Sequence, residues 1–196
     1  MAEVRDSRGR LSAAMAELLR EQGYAATSRA QLLRKAGVSN GSLYHHFPGG
    51  MEELAEVALR ASGRAVADAL RAALDGAPNA GVGIGRFLDV AEQASANGGF
   101  VGCPIAPSAL ESPTLSPRLR TVAAQAFAEW EALLAERLGS DGWPDADARQ
   151  PAAGLLALVE GALLLDRVGG DNSHIESAKR AAAALVDAGQ KYLPAG

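Results

Sequence analysis

Residues 27–50 read TSRAQLLRKAGVSNGSLYHHFPGG, and this stretch decides how the chain folds. A threonine or serine at 27–28 can cap a short helix that Gly37 ends. A second cap, at residues 39–40, can start another short helix, which the Pro-Gly-Gly sequence at 48–50 cannot continue. The stretch therefore predicts two short helices joined by a tight turn.

The turn between these helices has the residues of a helix-turn-helix. Such a unit needs a small residue where the second helix crosses the first, a glycine that turns the chain, and an aliphatic residue that holds the helices together. Ala36, Gly37 and Val38 supply these in order. Leu43 and Phe47 are four residues apart, so both can pack inward from the second helix. We therefore expect a helix-turn-helix unit here.

The second short helix carries polar side chains that suit DNA. Its first half, residues 39–42, can approach base edges in the major groove. Tyr44, His45 and His46 can donate hydrogen bonds to phosphate oxygens. Taken singly, such residues more often lie on an ordinary surface or pack partly in a core. Their order within this run favours contact with DNA.

Outward from this stretch, apolar residues recur at steps of three or four and predict further helices. Valine, isoleucine and threonine form no alternating runs, so we predict an all-α fold without strands. The sequence GVGIG at 81–85 predicts a flexible connection rather than a phosphate-binding loop, because no strand precedes it. The sequence SPTLSP at 112–117 predicts a break. The predicted helices cover about residues 7–22, 28–35, 39–47, 51–74, 86–96, 104–111, 118–138, 146–167 and 173–193.

Charge is divided unevenly along the chain. Residues 1–48 carry seven basic and four acidic side chains, a formal charge of +3, whereas the remainder carries 12 basic and 19 acidic ones, a charge of −7. A basic head on an acidic body is expected when one end of a protein meets a polyanion. We predict two domains, a helix-turn-helix DNA-binding domain at 1–49 and a larger helical body at 50–196.

The composition predicts a soluble, cytoplasmic protein without a membrane partner. A single cysteine, Cys103, excludes an internal disulfide and fits a reducing compartment. The N-terminus is charged and lacks the apolar stretch of a signal peptide. The most apolar run, residues 151–165, contains Glu160 and is shorter than the ~20 residues of a transmembrane helix.

Residues 27–50 resemble the DNA-binding signature of the TetR family of repressors, which combines a threonine, an aliphatic helix, AGVSxGxLYxHF and a long fourth helix. The resemblance implies a three-helix N-terminal DNA-binding domain at 1–49 and a C-terminal helical effector-binding and dimerisation domain at 50–196. It implies phosphate contacts from Thr27, Ser28, Ser42, Tyr44 and His46, and groove contacts from Asn40, Gly41 and His45. Arg29 and Ser39 complete the set of expected DNA-binding residues.

Two segments resemble the LmrA/YxaF-like subgroup of that family. They are GGFVGCPIAPSALE at 98–111, where a GCP turn opens the sixth helix and a glutamate closes it, and FPGGMEEL at 47–54. One position departs from the family pattern, because Met51 stands where a lysine usually grips a phosphate. We expect DNA binding that is weaker or more tolerant of salt as a result.

Aromatic side chains are concentrated in the middle helices, which carry few charges. They indicate a pocket for a flat, largely apolar effector, although each aromatic alone is more often plain core. The subgroup resemblance implies the same class, since such repressors respond to drugs and plant-type aromatics. Cys103 could be a redox sensor or a ligand contact, but a lone cysteine before proline is more often a small buried hydrophobe. The predicted ligand-binding residues are Phe87, Phe100, Cys103, Phe127 and Trp130.

The last two helices have broad apolar faces, which predict a homodimer. A twofold dimer holds two recognition helices about 34–36 Å apart, one turn of DNA. The residues expected at the interface are Leu155, Leu156, Leu158, Val159, Ala162, Leu163, Leu185 and Ala188.

Together these features predict a ligand-responsive transcriptional repressor that binds a palindromic operator as a dimer and is released by a small hydrophobic or aromatic effector. The rival interpretation is a drug-sequestering helical protein with a vestigial head, and selective binding of a palindromic DNA fragment would separate the two. An enzyme comes third, because the sequence has no nucleophile elbow or carboxylate pair. The histidines have no metal-ligand spacing, so we expect neither a metal nor a cofactor.

Overall fold

The computed structural model describes residues 2–96 and 102–190 of the chain. Side chains are not described at residues 2–6, 94–96, 112–115, 145–147 and 190. Within the described residues the chain forms nine α-helices and no strand, so the expected all-α fold is confirmed. The helices are α1 (Ala2–Gln22), α2 (Arg29–Ala36), α3 (Asn40–His46), α4 (Gly50–Leu74), α5 (Ala80–Ala96), α6 (Ala106–Leu115), α7 (Pro117–Ser140), α8 (Asp145–Gly169) and α9 (Ser173–Gln190).

The sequence GVGIG does not form the flexible connection that we predicted, because α5 begins at Ala80 and includes it. Two of its glycines lie where other backbone comes close. A Cβ on Gly81 would lie 2.9 Å from the Cα of Ala183 in α9, and a Cβ on Gly83 would lie 2.6 Å from a methyl carbon of Leu74. These glycines therefore serve close packing inside a helix, which outweighs their low helix propensity.

The predicted break at SPTLSP is present but shorter than expected, since α6 continues to Leu115 and α7 begins at Pro117. Ser116 alone separates the two helices. Its hydroxyl oxygen accepts the Leu119 N–H at 3.1 Å and so caps α7. Pro117 fits the first helical position because that residue needs no N–H donor.

The first and last helices remain to be compared with their predicted bounds. α1 begins at Ala2 rather than at residue 7. The predicted end of the last helix, at residue 193, lies outside the described residues.

The first of two compact units comprises residues 1–65 and 104–126. In it α1 contacts α2, α3 and α6, and Leu11, Met15 and Leu19 of α1 are almost completely buried. Burying each of these side chains contributes about 1.5–3 kcal/mol. Ion pairs join α4 to α7, since Glu56 pairs with both Arg60 and Arg118. The hydrogen bond from Arg60 is the main cause that lowers the pKa of Glu56, and the hydrogen bond from Arg118 lowers it further.

The second compact unit comprises residues 66–103 and 127–196. Lys179 of α9 joins it to α5, with its Nζ atom 2.6 Å from Asp89 and 2.7 Å from Glu92. Burial by itself lowers the pKa of Lys179, but these two carboxylates and that of Glu176 outweigh burial and raise it. We predicted a division at residue 49 between two domains of separate function. The compact units describe packing instead, so that division stays a prediction.

Half of the predicted dimer interface is instead core of the single chain. Leu155, Val159, Ala162 and Leu163 are at most 5% exposed within the monomer. The exposed apolar residues of α8 lie on the opposite side of the helix. They are Ala153, Ala157, Leu164, Leu165 and Val168, spaced at steps typical of one helix face. On α9, Ala181, Ala184, Leu185 and Ala188 are exposed in the same way.

Candidate nucleic-acid interface

The start of α2 is fixed by a capping box. Ser28 has extended backbone and its hydroxyl oxygen accepts the Gln31 N–H at 3.2 Å, while the Gln31 side chain accepts the Ser28 N–H at 3.0 Å. This reciprocal pair satisfies two donors that a helix N-terminus leaves free. Between the two caps that the sequence allowed, the structure selects Ser28.

The turn after α2 has the geometry that its glycine requires. Gly37 has a φ of +63°, a left-handed conformation that disfavours other residues. The Val38 N–H returns to the Leu33 carbonyl at 3.2 Å, which closes the end of α2. Ala36 is buried, as expected for the small residue at the helix crossing.

Helix α3 is held by its buried side and presents its polar side outward. Ser39 is the cap, and its hydroxyl oxygen accepts the Ser42 N–H at 3.3 Å. Leu43 and Phe47 are completely buried. Asn40 and Gly41, in the first turn, are exposed. The inward packing predicted for Leu43 and Phe47 is therefore confirmed.

The predicted DNA-binding residues differ in how far they reach solvent. Most are exposed, two are half-buried and one is buried. The exposed set is Ser28, Arg29, Ser39, Asn40, Gly41, Tyr44 and His45; the half-buried pair is Ser42 and His46; the buried residue is Thr27.

Arg29 and Tyr44 link the two short helices at the surface. The Arg29 guanidinium donates to the Tyr44 hydroxyl oxygen at 3.1 Å, and Tyr44 is 44% exposed. A guanidinium and a phenol side by side offer several donors to a phosphate oxygen. The link also fixes the position of α2 relative to the end of α3.

Thr27 is engaged within the protein rather than turned to solvent. It is 7% exposed, and its hydroxyl donates to the Gly23 carbonyl at 2.6 Å. Its predicted phosphate contact stays a prediction, but its hydroxyl proton already has an acceptor inside the chain.

The two histidines of α3 face different surroundings. His45 is exposed, whereas the Nε2 atom of His46 is buried and has no hydrogen-bond partner in the described part of the chain. Their rings meet edge to face, with centroids 4.9 Å apart. The geometry leaves His45 freer than His46 to contact DNA.

Some basic side chains of residues 1–48 contact other side chains of the protein, and others are exposed to solvent. Lys35 forms a 2.7 Å ion pair with Glu17, and the hydrogen bond to Glu17 raises the pKa of Lys35. Arg8 lies over the Phe47 ring, 5.1 Å from its centroid. Arg29 and Arg34 are exposed. Of these two, Arg29 is hydrogen-bonded to Tyr44 of α3.

Met51 lies in the first turn of α4 and is half-buried. Two acidic residues follow it, and the Glu53 carboxylate accepts the Gly49 N–H at 2.7 Å. The start of α4 therefore presents no cation at the position where the family has a lysine.

The predicted ligand-binding residues lie in the second unit where they are described. Trp130 is 1% exposed and contacts Phe127 edge to face, with ring centroids 5.2 Å apart. Phe87 is half-buried and Cys103 is buried, while Phe100 lies outside the described residues. A surface groove of about 780 Å³ in the same unit has a different lining, which includes the charged residues Asp68, Arg71, Glu136 and Arg137.

Glu160 is a half-buried carboxyl in α8 whose contact with Cys103 sequence reasoning missed. Burial raises the pKa of its carboxyl, and a hydrogen bond with the Cys103 thiol partly offsets this. The sequence carried a signal, because Glu160 interrupts an otherwise apolar run. Its pairing with Cys103, 57 positions earlier in the chain, required the fold.

Among the described residues, no helix combines the length and the apolar character needed to cross a membrane.

Two family models match the chain. The model described as "Bacterial regulatory proteins, tetR family" matches residues 11–58. The model described as "Transcriptional regulator LmrA/YxaF-like, C-terminal domain" matches residues 83–181. Together they cover both the helix-turn-helix and most of the remaining helices.

Curated relatives of similar length agree with these models. YxaF of Bacillus subtilis (strain 168), an uncharacterized HTH-type transcriptional regulator, is 31% identical over 169 residues, which cover 86% of this chain and 88% of YxaF. The HTH-type transcriptional regulator LmrA of the same strain is 30% identical over 161 residues, which cover 82% of this chain and 86% of LmrA.

Solved structures share the arrangement of helices. A TetR transcriptional regulator from Chloroflexus aurantiacus J-10-FL is 27% identical and covers 95% of this chain and 97% of its own, with a TM-score of 0.80. The reduced form of E. coli NemR, at 24% identity, covers 91% of this chain and 96% of its own, with a TM-score of 0.78. The likeness to NemR concerns the fold alone.

Proposed function

The chain belongs to the TetR family of transcriptional regulators, and we propose that it acts as a ligand-responsive repressor in the cytoplasm. A homodimer binds a palindromic operator in double-stranded DNA, and a small hydrophobic or aromatic effector releases it. The family is one of regulators rather than enzymes. The proposal is carried by α3, whose polar side is exposed while Leu43 and Phe47 anchor its other side in the core.

In this proposal α3 enters the major groove with its N-terminal half. Asn40 reads a base edge, because an amide can both donate to and accept from adenine. Gly41 lets the helix approach the groove floor closely, since it carries no side chain. His45 is exposed one turn further along α3 and completes the groove contacts.

Phosphate contacts surround this base readout. Ser28 and the first N–H groups of α2 face one phosphate, where the helix dipole favours an anion. Arg29 and Tyr44 form a joined pair of donors for another. Ser42 and His46 are half-buried and contribute at the edge of the surface. These contacts position the protein without reading sequence.

The dimer forms through the exposed apolar faces of α8 and α9. Leu164, Leu165 and Val168 of α8 are 50–81% exposed in the monomer, and Leu185 of α9 is 37% exposed. Contiguous apolar surface of this kind marks a protein interface. A twofold pair of subunits matches an operator with two half-sites.

The effector site lies in the second unit, among Phe87, Cys103, Phe127 and Trp130. Phe100, which lies outside the described residues, stays a predicted member of the site. Phe127 and Trp130 already pack edge to face, so a flat aromatic molecule can add a further aromatic contact to this pair. The effector shifts the equilibrium toward a state of low operator affinity only as far as it binds that state more tightly.

Selection of DNA by the full-length protein tests the proposal. Wild-type protein is incubated with random-sequence duplexes, and bound DNA is amplified and sequenced over several rounds. We expect an inverted repeat whose half-sites are about 10 base pairs apart, centre to centre. Recovery of no sequence above the random background contradicts DNA-specific regulation and favours the rival drug-sequestering protein.

A further inference from the structure

Glu111 of α6 contacts the turn between α1 and α2, which we call the α1–α2 turn (residues 23–28). Its Oε2 atom accepts the Tyr24 N–H at 2.8 Å and the Ala25 N–H at 2.9 Å. Both bonds are charge-assisted, because the acceptor is a carboxylate. Glu111 lies 86 and 87 positions from its partners in the chain, yet all three residues belong to the first compact unit.

Gly23 makes this approach possible. It has a φ of +79°, and a Cβ built on it would lie 2.4 Å from the Glu111 Oε1 atom. Any side chain at residue 23 would therefore displace the carboxylate. The left-handed backbone and the missing side chain both fit the present position of Glu111.

The α1–α2 turn carries this contact on to α2. Thr27 donates its hydroxyl to the Gly23 carbonyl at 2.6 Å and its N–H to the Tyr24 carbonyl at 3.0 Å. The next residue, Ser28, caps α2. A continuous set of hydrogen bonds thus runs from α6 to the N-terminus of α2, where phosphate contacts are expected.

We propose that Glu111 is a positioning residue for DNA binding, which fixes the α1–α2 turn and thereby the N-terminus of α2 against the phosphate backbone. Glu111 itself does not touch DNA. The inference rests on the proposed function, because it requires Ser28 and the start of α2 to lie on DNA. It also follows that a displacement of α6 changes the shape of the DNA-binding surface.

Simple electrostatics predicts the opposite sign for the loss of Glu111. A carboxylate on the DNA-binding unit repels phosphates, so removing it would tighten binding to every sequence. A positioning role predicts weaker binding, because the start of α2 loses its fixed geometry. The direction of the change therefore separates the two effects.

The test uses full-length protein and the DNA that wild-type protein selects from random duplexes. We expect Glu111→Ala to lower the affinity about fivefold or more. Glu111→Gln retains most of the affinity, because the amide oxygen can accept the same two N–H bonds. Glu129→Ala, which removes an exposed carboxylate from α7, is the control for charge and leaves the affinity near that of wild type.

Gly23→Ala supplies a second route to the same contact. Its side chain displaces the carboxylate, so it lowers the affinity as Glu111→Ala does, and the double variant loses less than the two single losses combined. Amide hydrogen exchange at Tyr24 and Ala25 reports the contact directly. It becomes faster in Glu111→Ala and in Gly23→Ala but not in Glu111→Gln.

Unchanged or tighter DNA binding by Glu111→Ala overturns the inference, as do equal losses in Glu111→Ala and Glu111→Gln. If Glu111→Ala does not fold, Gly23→Ala and Glu111→Gln are combined in one protein, and amide exchange at Tyr24 and Ala25 is measured beside its DNA affinity. Losses of affinity that add up fully in this double variant overturn the inference. If wild-type protein selects no sequence, the proposed function fails. Exchange at Tyr24 and Ala25 that does not respond to Glu111→Ala then overturns the positioning role as well.

Discussion

Asn40 is the residue whose replacement best separates base reading from phosphate binding. It is exposed in the first turn of α3, and Ser39 rather than Asn40 supplies the cap. Asn40→Ala therefore leaves the helix intact. We expect it to reduce the preference for selected over random DNA by about 1–3 kcal/mol, measured in a competition assay. Gln93→Ala, an exposed amide on α5, is the matched control, and unchanged discrimination by Asn40→Ala removes this residue from the readout.

Met51 tests how close the start of α4 comes to DNA. If it faces a phosphate, Met51→Lys adds one ion contact, tightens binding and steepens the log–log dependence of affinity on salt by about one unit. Met51→Gln is the neutral control, because it changes polarity without adding charge. A salt titration that gives one slope for all three proteins places residue 51 away from the backbone.

At the scale of single residues, local rules predicted the turn and its caps well. Gly37 and Ser28 act within three or four residues of themselves, so their spacing in the sequence is sufficient evidence. Thr27 also has a local partner, the Gly23 carbonyl four residues earlier, which its sequence pattern did not predict. The partnership of Glu111 with the α1–α2 turn depends on α6 packing against α1, and no local pattern contains that information.

At the scale of helices, the sequence predicted existence better than boundaries. Periodic apolar residues identified all nine helices described. The start of α5 was predicted wrongly because its local helix breakers are outweighed by tertiary contacts. Gly81 and Gly83 lie inside α5 because close packing there leaves no room for a side chain. Ser116 caps α7, so α7 follows α6 directly. Glycine and proline statistics describe isolated segments, whereas these segments are held by neighbours.

Two glycines of α5 allow this explanation to be measured. Gly81→Ala places a Cβ 2.9 Å from the Ala183 backbone, and we expect a loss of about 1–3 kcal/mol in the free energy of unfolding. Gly85→Ala is the control in the same helix, because nothing lies within 4 Å of its Cβ position. It should gain about 0.4–1 kcal/mol by stiffening the unfolded chain. Chemical denaturation measures both, and equal effects of the two substitutions would refute the packing role.

At the scale of the whole molecule, the compact units do not follow the order of residues along the sequence. Each compact unit gathers segments from separate parts of the sequence. The unit that contains the helix-turn-helix also contains α6 and the first part of α7, which the sequence assigned to the body. The basic head that charge analysis identified is therefore folded together with later helices, and Glu111 is one of the residues that joins them.

The apolar faces of α8 and α9 show why an interface is harder to predict than a core. A periodic stripe records that a helix face is buried, but not whether its own chain or a partner covers it. Leu155, Val159 and Leu163 are covered by their own chain. The residues left for a partner lie on the other side of α8, where Leu164, Leu165 and Val168 are exposed.

Leu165→Glu tests this interface without disturbing the core. Leu165 is 50% exposed in the monomer, so a charge there is hydrated in the single chain and buried without a partner in the dimer. We expect wild-type protein to sediment as a dimer at micromolar concentration and Leu165→Glu as a folded monomer. Because two tethered half-site contacts become one, affinity for the selected inverted repeat should fall about 100-fold or more. Val90→Glu adds the same charge at a residue of α5 that is 58% exposed, and it should remain dimeric. A wild-type monomer, or a Leu165→Glu dimer, contradicts pairing through this face.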